Sequence, residues 1–249
     1  MKVEFSLPNP DEHAEEISGF LNPEYGWDWG EYILGEYPEL RKKLLGVSDG
    51  LEKKKIAKEY FTGYFADNIN SLNEKVSSFQ KSWDEIGEDF VLALEDVLEI
   101  KWNKQDRIAR AYVGLNPICP RDILKRDFSV YYKKDDFEMR RTVFHEMLHF
   151  LWFDKWKTIF TDFNHNNLNE PALEWKLSEI VPLAILSDSR IQKLFEHYPS
   201  VYDEWQKIII DDKPLLKHIQ EIYDGRSDFE DFVRKSWEFV NKYQGFLDG

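Results

Sequence analysis

From Asp135 to about Phe160 the chain runs without a glycine or proline, and apolar residues recur at helical spacing: Phe137, Val143, Phe144, Met147, Leu148, Leu151, Trp152 and Trp156. The pattern predicts one long helix around which the rest must be arranged. Asp135 and Asp136 place acids at its start, where they complement the positive end of the helix dipole. Inside the run lies Thr142-Val143-Phe144-His145-Glu146-Met147-Leu148-His149-Phe150-Leu151. On a helix His145 and His149 stand one turn apart, so both imidazoles point the same way and can grip one metal ion. Glu146 projects beside them, placed to take a proton from a metal-activated water. Without a metal, two imidazoles and a carboxylate on an apolar helix would each need a hydrogen-bond partner, a costly arrangement.

The frame of that H-E-x-x-H sequence is uncharged and free of proline, with the β-branched Thr142 three positions before the first histidine. Over these ten residues the chain resembles the zincin group of zinc metallopeptidases. The resemblance implies an α+β, mainly α, zincin-like fold: a small β-sheet or hairpin, then the active-site helix, then a packed acid-bearing helix. It also implies one catalytic Zn²⁺.

Length and composition set outer bounds. With 249 residues, 42% of them hydrophobic and 16% aromatic, the chain can bury a substantial core. A formal net charge of −14 and the absence of a basic stripe argue against nucleic acid as partner. The N-terminal residues lack the apolar stretch of a secretory signal, no apolar run reaches membrane-spanning length, and Cys119 is the sole cysteine. The expectation is a cytoplasmic protein without an internal disulfide.

Elsewhere the pattern changes with position. Lys2 to Leu7 reads as a short strand ended by Pro8 and Pro10, and residues 11–50 as short helices and turns rich in aromatics, including Tyr25-Gly26-Trp27-Asp28-Trp29. Residues 51–100 read as helices broken near Asp67-Asn68 and Gly87, with Ser71 and Glu74 as a capping box for the second. After Trp102-Asn103, Ile108 to Leu115 and Phe128 to Tyr132 are β-like. In a zincin, an edge strand before the metal-binding helix lines the substrate groove, and the resemblance assigns that role to Phe128–Tyr132. Residues 188–249 read as further helices. The expected parts are a helical 1–105, a metal-binding core over 106–190 and a helical 191–249, with the cleft between the N- and C-terminal parts.

The third ligand has to come from further along. In the metzincin pattern a histidine follows six residues after the second, but Lys155 stands there; His165 lies in the polar loop Asn164-His165-Asn166-Asn167. A helix expected from about Glu170 to Ser187, with Pro171 in its first turn, offers Glu170, Glu174 and Glu179. Glu170 follows His149 by 21 positions, the spacing of the thermolysin-like gluzincins that the segment resembles. Here, though, the first helix continues to about Phe160, so a helix returning antiparallel meets His149 near residue 179. Glu170 and Glu179 lie nine residues apart, half a turn out of phase at about 100° per residue, so they cannot share one metal. Glu179 also falls in an apolar stripe with Trp175, Leu183 and Leu186, where a carboxylate needs a partner. Glu179 is therefore favoured, with Glu170 as the alternative and Glu174 third.

The expected activity is zinc-dependent hydrolysis of a peptide or protein substrate, with His145, His149 and Glu179 as ligands and Glu146 as general base. His197, Tyr198, Tyr202, His218 and Tyr223 are candidates to stabilise the oxyanion, and none is assigned. The competing reading is a zincin-like protein that binds metal without catalysis, in a regulatory role.

Overall fold

A computed structural model describes residues 2–21, 29–102, 108–162, 164–199 and 201–247, apart from the side chain of His165. The segment Tyr25–Asp28 and Asn103, singled out above, lie outside the described residues. In chain order the elements are β1 (Lys2–Ser6), α1 (Pro10–Gly19), α2 (Trp29–Glu36), α3 (Pro38–Lys43), α4 (Gly50–Asp67), α5 (Ile69–Asp84) and α6 (Gly87–Val97). Next come β2 (Ile108–Gly114), β3 (Arg121–Asp122), β4 (Asp127–Tyr131) and the long α7 (Asp136–Ile159). The remainder comprises α8 (Leu173–Ile180), α9 (Pro182–Leu186), α10 (Ser189–Gln192), α11 (Asp203–Lys207), β5 (Ile209–Ile210), β6 (Lys213–Pro214), α12 (Leu215–Asp224) and α13 (Phe229–Lys242). The chain is thus mainly helical with a small mixed sheet. Among the described residues no helix is long and apolar enough to cross a membrane.

Two compact units are present, and neither is continuous in sequence. One is Lys2–Glu85 with Ile108–Val143; the other takes in the described residues of Ile86–Arg107 and Phe144–Gly249. In the first, four strands are ordered β1-β2-β4-β3, with β1 and β4 parallel to β2, and β3 antiparallel to β4. Ala109, Ala111, Val113, Phe128 and Val130 fill the core side of this sheet. The outer edge of β1 is closed by a side chain from α5: Phe5 N–H donates to Gln80 Oε1 (2.9 Å) and Gln80 Nε2 donates to the Val3 carbonyl (3.1 Å). A carboxamide so placed substitutes for the missing neighbouring strand.

At the end of β2, His13 of α1 accepts a hydrogen bond from Leu115 N–H at 2.7 Å, with its ring over Gly114. A Cβ at Gly114 would stand 2.4 Å from His13 Nε2, so only glycine fits there. The start of α7 is fixed in the same unit. Asp135 Oδ1 accepts from Glu138 N–H (2.8 Å), while Arg140 Nη2 donates to the Ser82 carbonyl (2.7 Å) and its Nε to Ser82 Oγ (3.1 Å).

Three expectations are corrected here. The strand expected to present an edge, Phe128–Tyr132, is interior: β2 pairs along one side, β3 covers Asp127 and Phe128 on the other, and Ser129 N–H donates to the Pro120 carbonyl. Ser71 and Glu74 form no capping box, because α5 begins at Ile69 with Asn68 as its cap residue, and Ser71 is already inside the helix. The carboxy-terminal region is not helical throughout. A hairpin, β5–β6, turns through Asp211 and Asp212, both at positive φ (48° and 62°), the backbone of a two-residue primed turn.

In the second unit, α10, α12 and the chain after α12 are tied together at one carboxylate. Asp188 is gripped by Arg190 through Nε (2.9 Å) and Nη2 (2.8 Å), and accepts from Tyr223 Oη (2.8 Å). The Arg190 fork holds the Asp188 carboxyl well below the usual carboxylate range. A depressed folded-state pKa adds stability above the unfolded value near about 4, and that stability is lost as pH falls towards the folded value. Asp188→Asn should therefore cost about 1–2 kcal/mol at pH 7, with the melting-temperature gap from wild type closing between about pH 5 and pH 2. Thermal unfolding across that range checks it; a gap that is constant with pH contradicts it.

Candidate metal centre

The rotation of α7 about its axis decides which side chains converge, and aromatic packing sets that rotation. Phe144 stacks on Phe90 of α6 (centroids 3.6 Å, planes 11° apart) and meets Phe195 and His197 edge-on at 5.5 and 5.3 Å. Further along, Trp152 meets Phe229 and Phe232 of α13 at 6.1 and 6.2 Å, and Trp156 meets Trp237 at 5.0 Å. Phe144 lies about 100° from His145 around the helix, whereas Trp152 and Trp156 follow His145 and His149 by seven residues each on the same stripe, beyond the turn that carries His145, Glu146 and His149. At about 100° per residue the three span an arc of roughly 100°.

What that arc meets is Glu179. His145 Nε2 lies 2.9 Å from His149 Nε2 and 3.2 Å from Glu179 Oε2, and His149 Nε2 lies 3.5 Å from Glu179 Oε1. The side chains of His149 and Glu179 are 0% and 2% exposed, and that of His145 22%. Glu146 is buried beside them. Glu179 is delivered by α8, where Leu177, Ser178 and Ile180 are also buried and Lys176 Nζ donates to the Leu247 carbonyl (2.8 Å).

That helix differs in extent from the one expected. It begins at Leu173 instead of Glu170, so Pro171 precedes it, and it stops at Ile180. Pro182 has no N–H to continue the ladder and instead opens the separate helix α9. Glu170 is therefore exposed, in the turn before α8, and outside the donor group. Glu174 accepts from Asn167 Nδ2 at 2.6 Å. The His165 side chain lies outside the described residues.

The oxyanion candidates are dispersed. His197 is buried with Nδ1 2.9 Å from the Phe195 carbonyl, so that nitrogen carries its proton. Tyr198 is exposed, Tyr202 packs on Trp205 (4.9 Å), His218 Nε2 lies 2.9 Å from the Ile210 carbonyl, and Tyr223 is engaged by Asp188. The residues that orient α7, namely Phe90, Phe195 and Phe229, were not singled out from sequence. Their only signal was the general abundance of aromatics.

The geometry allows a test of fit. Four lone-pair-bearing atoms meet here: the two Nε2 atoms lie 2.9 Å apart, one Glu179 oxygen lies 3.2 Å from His145 Nε2 and the other 3.5 Å from His149 Nε2. One shared proton can lie along only one of these contacts, whereas a cation among the donors serves all three side chains. Tetrahedral zinc with ligand bonds of about 2.0–2.1 Å separates its donors by about 3.3 Å, within the range of those contacts. Two imidazoles and a carboxylate are also a common catalytic zinc set. Among the described residues, His145, His149 and Glu179 form the group that can hold a metal ion. Comparison with known proteins adds no identification: no protein-family model, curated protein or solved structure matches the chain.

Purified protein should bind close to one equivalent of zinc, read by elemental analysis and calorimetry. His149→Ala and Glu179→Gln should each weaken binding by at least about 100-fold, and Glu170→Gln should bind as wild type. Zinc held by Glu179→Gln but lost from Glu170→Gln would move the third ligand.

Proposed function

We propose that the protein is a zinc-dependent hydrolase of the zincin type acting on peptide bonds, with His145, His149 and Glu179 as ligands and Glu146 as general base. The observation that carries this reading is the convergence of His145 with the buried His149 and Glu179, and a buried carboxylate outside that group, Glu146, on the next residue of the same helix arc. A zinc ion bound there would lower the pKa of water towards about 7 and polarise a carbonyl oxygen. His145 and His149 orient from one rigid helix, and Glu179 contributes the negative charge that completes the set. Glu146, on the same helical arc, accepts the proton of the attacking water and passes it to the leaving amine. Its burial keeps that carboxylate out of bulk water.

Two features support catalysis over passive metal binding. A structural zinc site is closed by four protein ligands, and the group found among the described residues has three. Glu146, next to a ligand, has no task in a merely structural site. Within this reading the single cysteine suits a reducing, cytoplasmic setting, and the net charge of −14 favours peptide over nucleic-acid substrates.

Glu146→Gln should bind zinc as wild type does while its rate of peptide hydrolysis falls by about 10²–10⁴-fold. Hydrolysis by this variant at the wild-type rate, in a preparation free of contaminating peptidase, would remove Glu146 from the mechanism.

A further inference from the structure

The burial of α7 bears on what can reach the donors. Residues 144–153 make nearly three turns, so every face of the helix is represented. Phe144, Met147, Leu148, His149, Phe150, Leu151, Trp152 and Phe153 are all 0% exposed, and Glu146 is 5% exposed. His145 is the single residue of this stretch that is not buried. Of the donor group it alone has appreciable solvent-accessible surface, 22% of its side chain against 0% for His149 and 2% for Glu179.

A polypeptide cleaved in its middle must lie across the reacting centre with chain leaving on both sides, so the ligands and the base must line an open groove. Here one histidine meets solvent while the second histidine, the carboxylate ligand and Glu146 do not. We propose that the site is reached from one direction only, over His145, and that its substrates are short peptides or free chain ends that enter end-on. The middle of an extended polypeptide is excluded. This inference rests on the reading of the site as a metal-dependent hydrolase.

The test uses the full chain loaded with Co²⁺, whose visible absorption changes when an added ligand joins the metal. Three probes are titrated: acetohydroxamate, a hydroxamate at the C-terminus of a dipeptide, and a hydroxamate carried on the central residue of a long end-blocked peptide. The expected result is binding of the first two, with the mid-chain probe weaker than the dipeptide probe by at least about tenfold. A smaller difference overturns the proposal, because chain can then leave on both sides. Failure of both small probes overturns it as well, since the site then has no mouth at His145. Failure to bind Co²⁺ is a separate result that removes the metal reading and this inference with it.

Discussion

Two imidazole nitrogens 2.9 Å apart, each within 3.5 Å of an oxygen of one carboxylate, with His149 and Glu179 removed from water, are hard to satisfy without positive charge between them. The rest of the second unit is organised around that demand. Helix α7 supplies both histidines because they are four residues apart, and α8 supplies Glu179 from a stretch that is otherwise apolar. Aromatic contacts from α6 and α13 set the rotation of α7, so the convergence depends on packing several residues away from the donors themselves. A cavity made at Phe90 or Phe232 would disturb the donor group through helix rotation without touching His145, His149 or Glu179.

The position of the proposed base follows from the same helix. One residue after His145 and three before His149, Glu146 shares the ligand arc. Being a neighbour in the chain rather than in a loop, it has little freedom to leave, which suits a group that must accept and return a proton at a fixed place. In the proposed mechanism both histidines and the base are thus held on one rigid element, with the third ligand brought by a second.

Much of this was legible in the sequence, for identifiable reasons. The span of α7, Asp136–Ile159, follows from an unbroken periodic run with acids at its start. The pairing of residue 149 with residue 179 could be read because helix length and loop length together set where a returning helix arrives. The helix expected over 170–187 is instead divided at Pro182, which has no N–H to continue it. Other features depend on contacts distant in sequence, which local patterns do not encode. The parallel pairing of β1 with β2 joins Val3 to Ala109, and β4 acquires a neighbour on its second side from the short Arg121–Asp122 strand. The hairpin at Asp211–Asp212 escaped because neither residue is the glycine that usually marks a primed turn. Asn68 took the cap position that Ser71 appeared to offer, so the helix started three residues earlier.

Zinc-edge X-ray absorption on protein loaded with one equivalent of zinc tests the central claim most directly. The account predicts a four-coordinate shell of nitrogen and oxygen at about 2.0–2.1 Å with the multiple-scattering signature of two imidazoles, one of them lost in His149→Ala. A six-oxygen aqueous shell, or an imidazole count unchanged by that substitution, would contradict it.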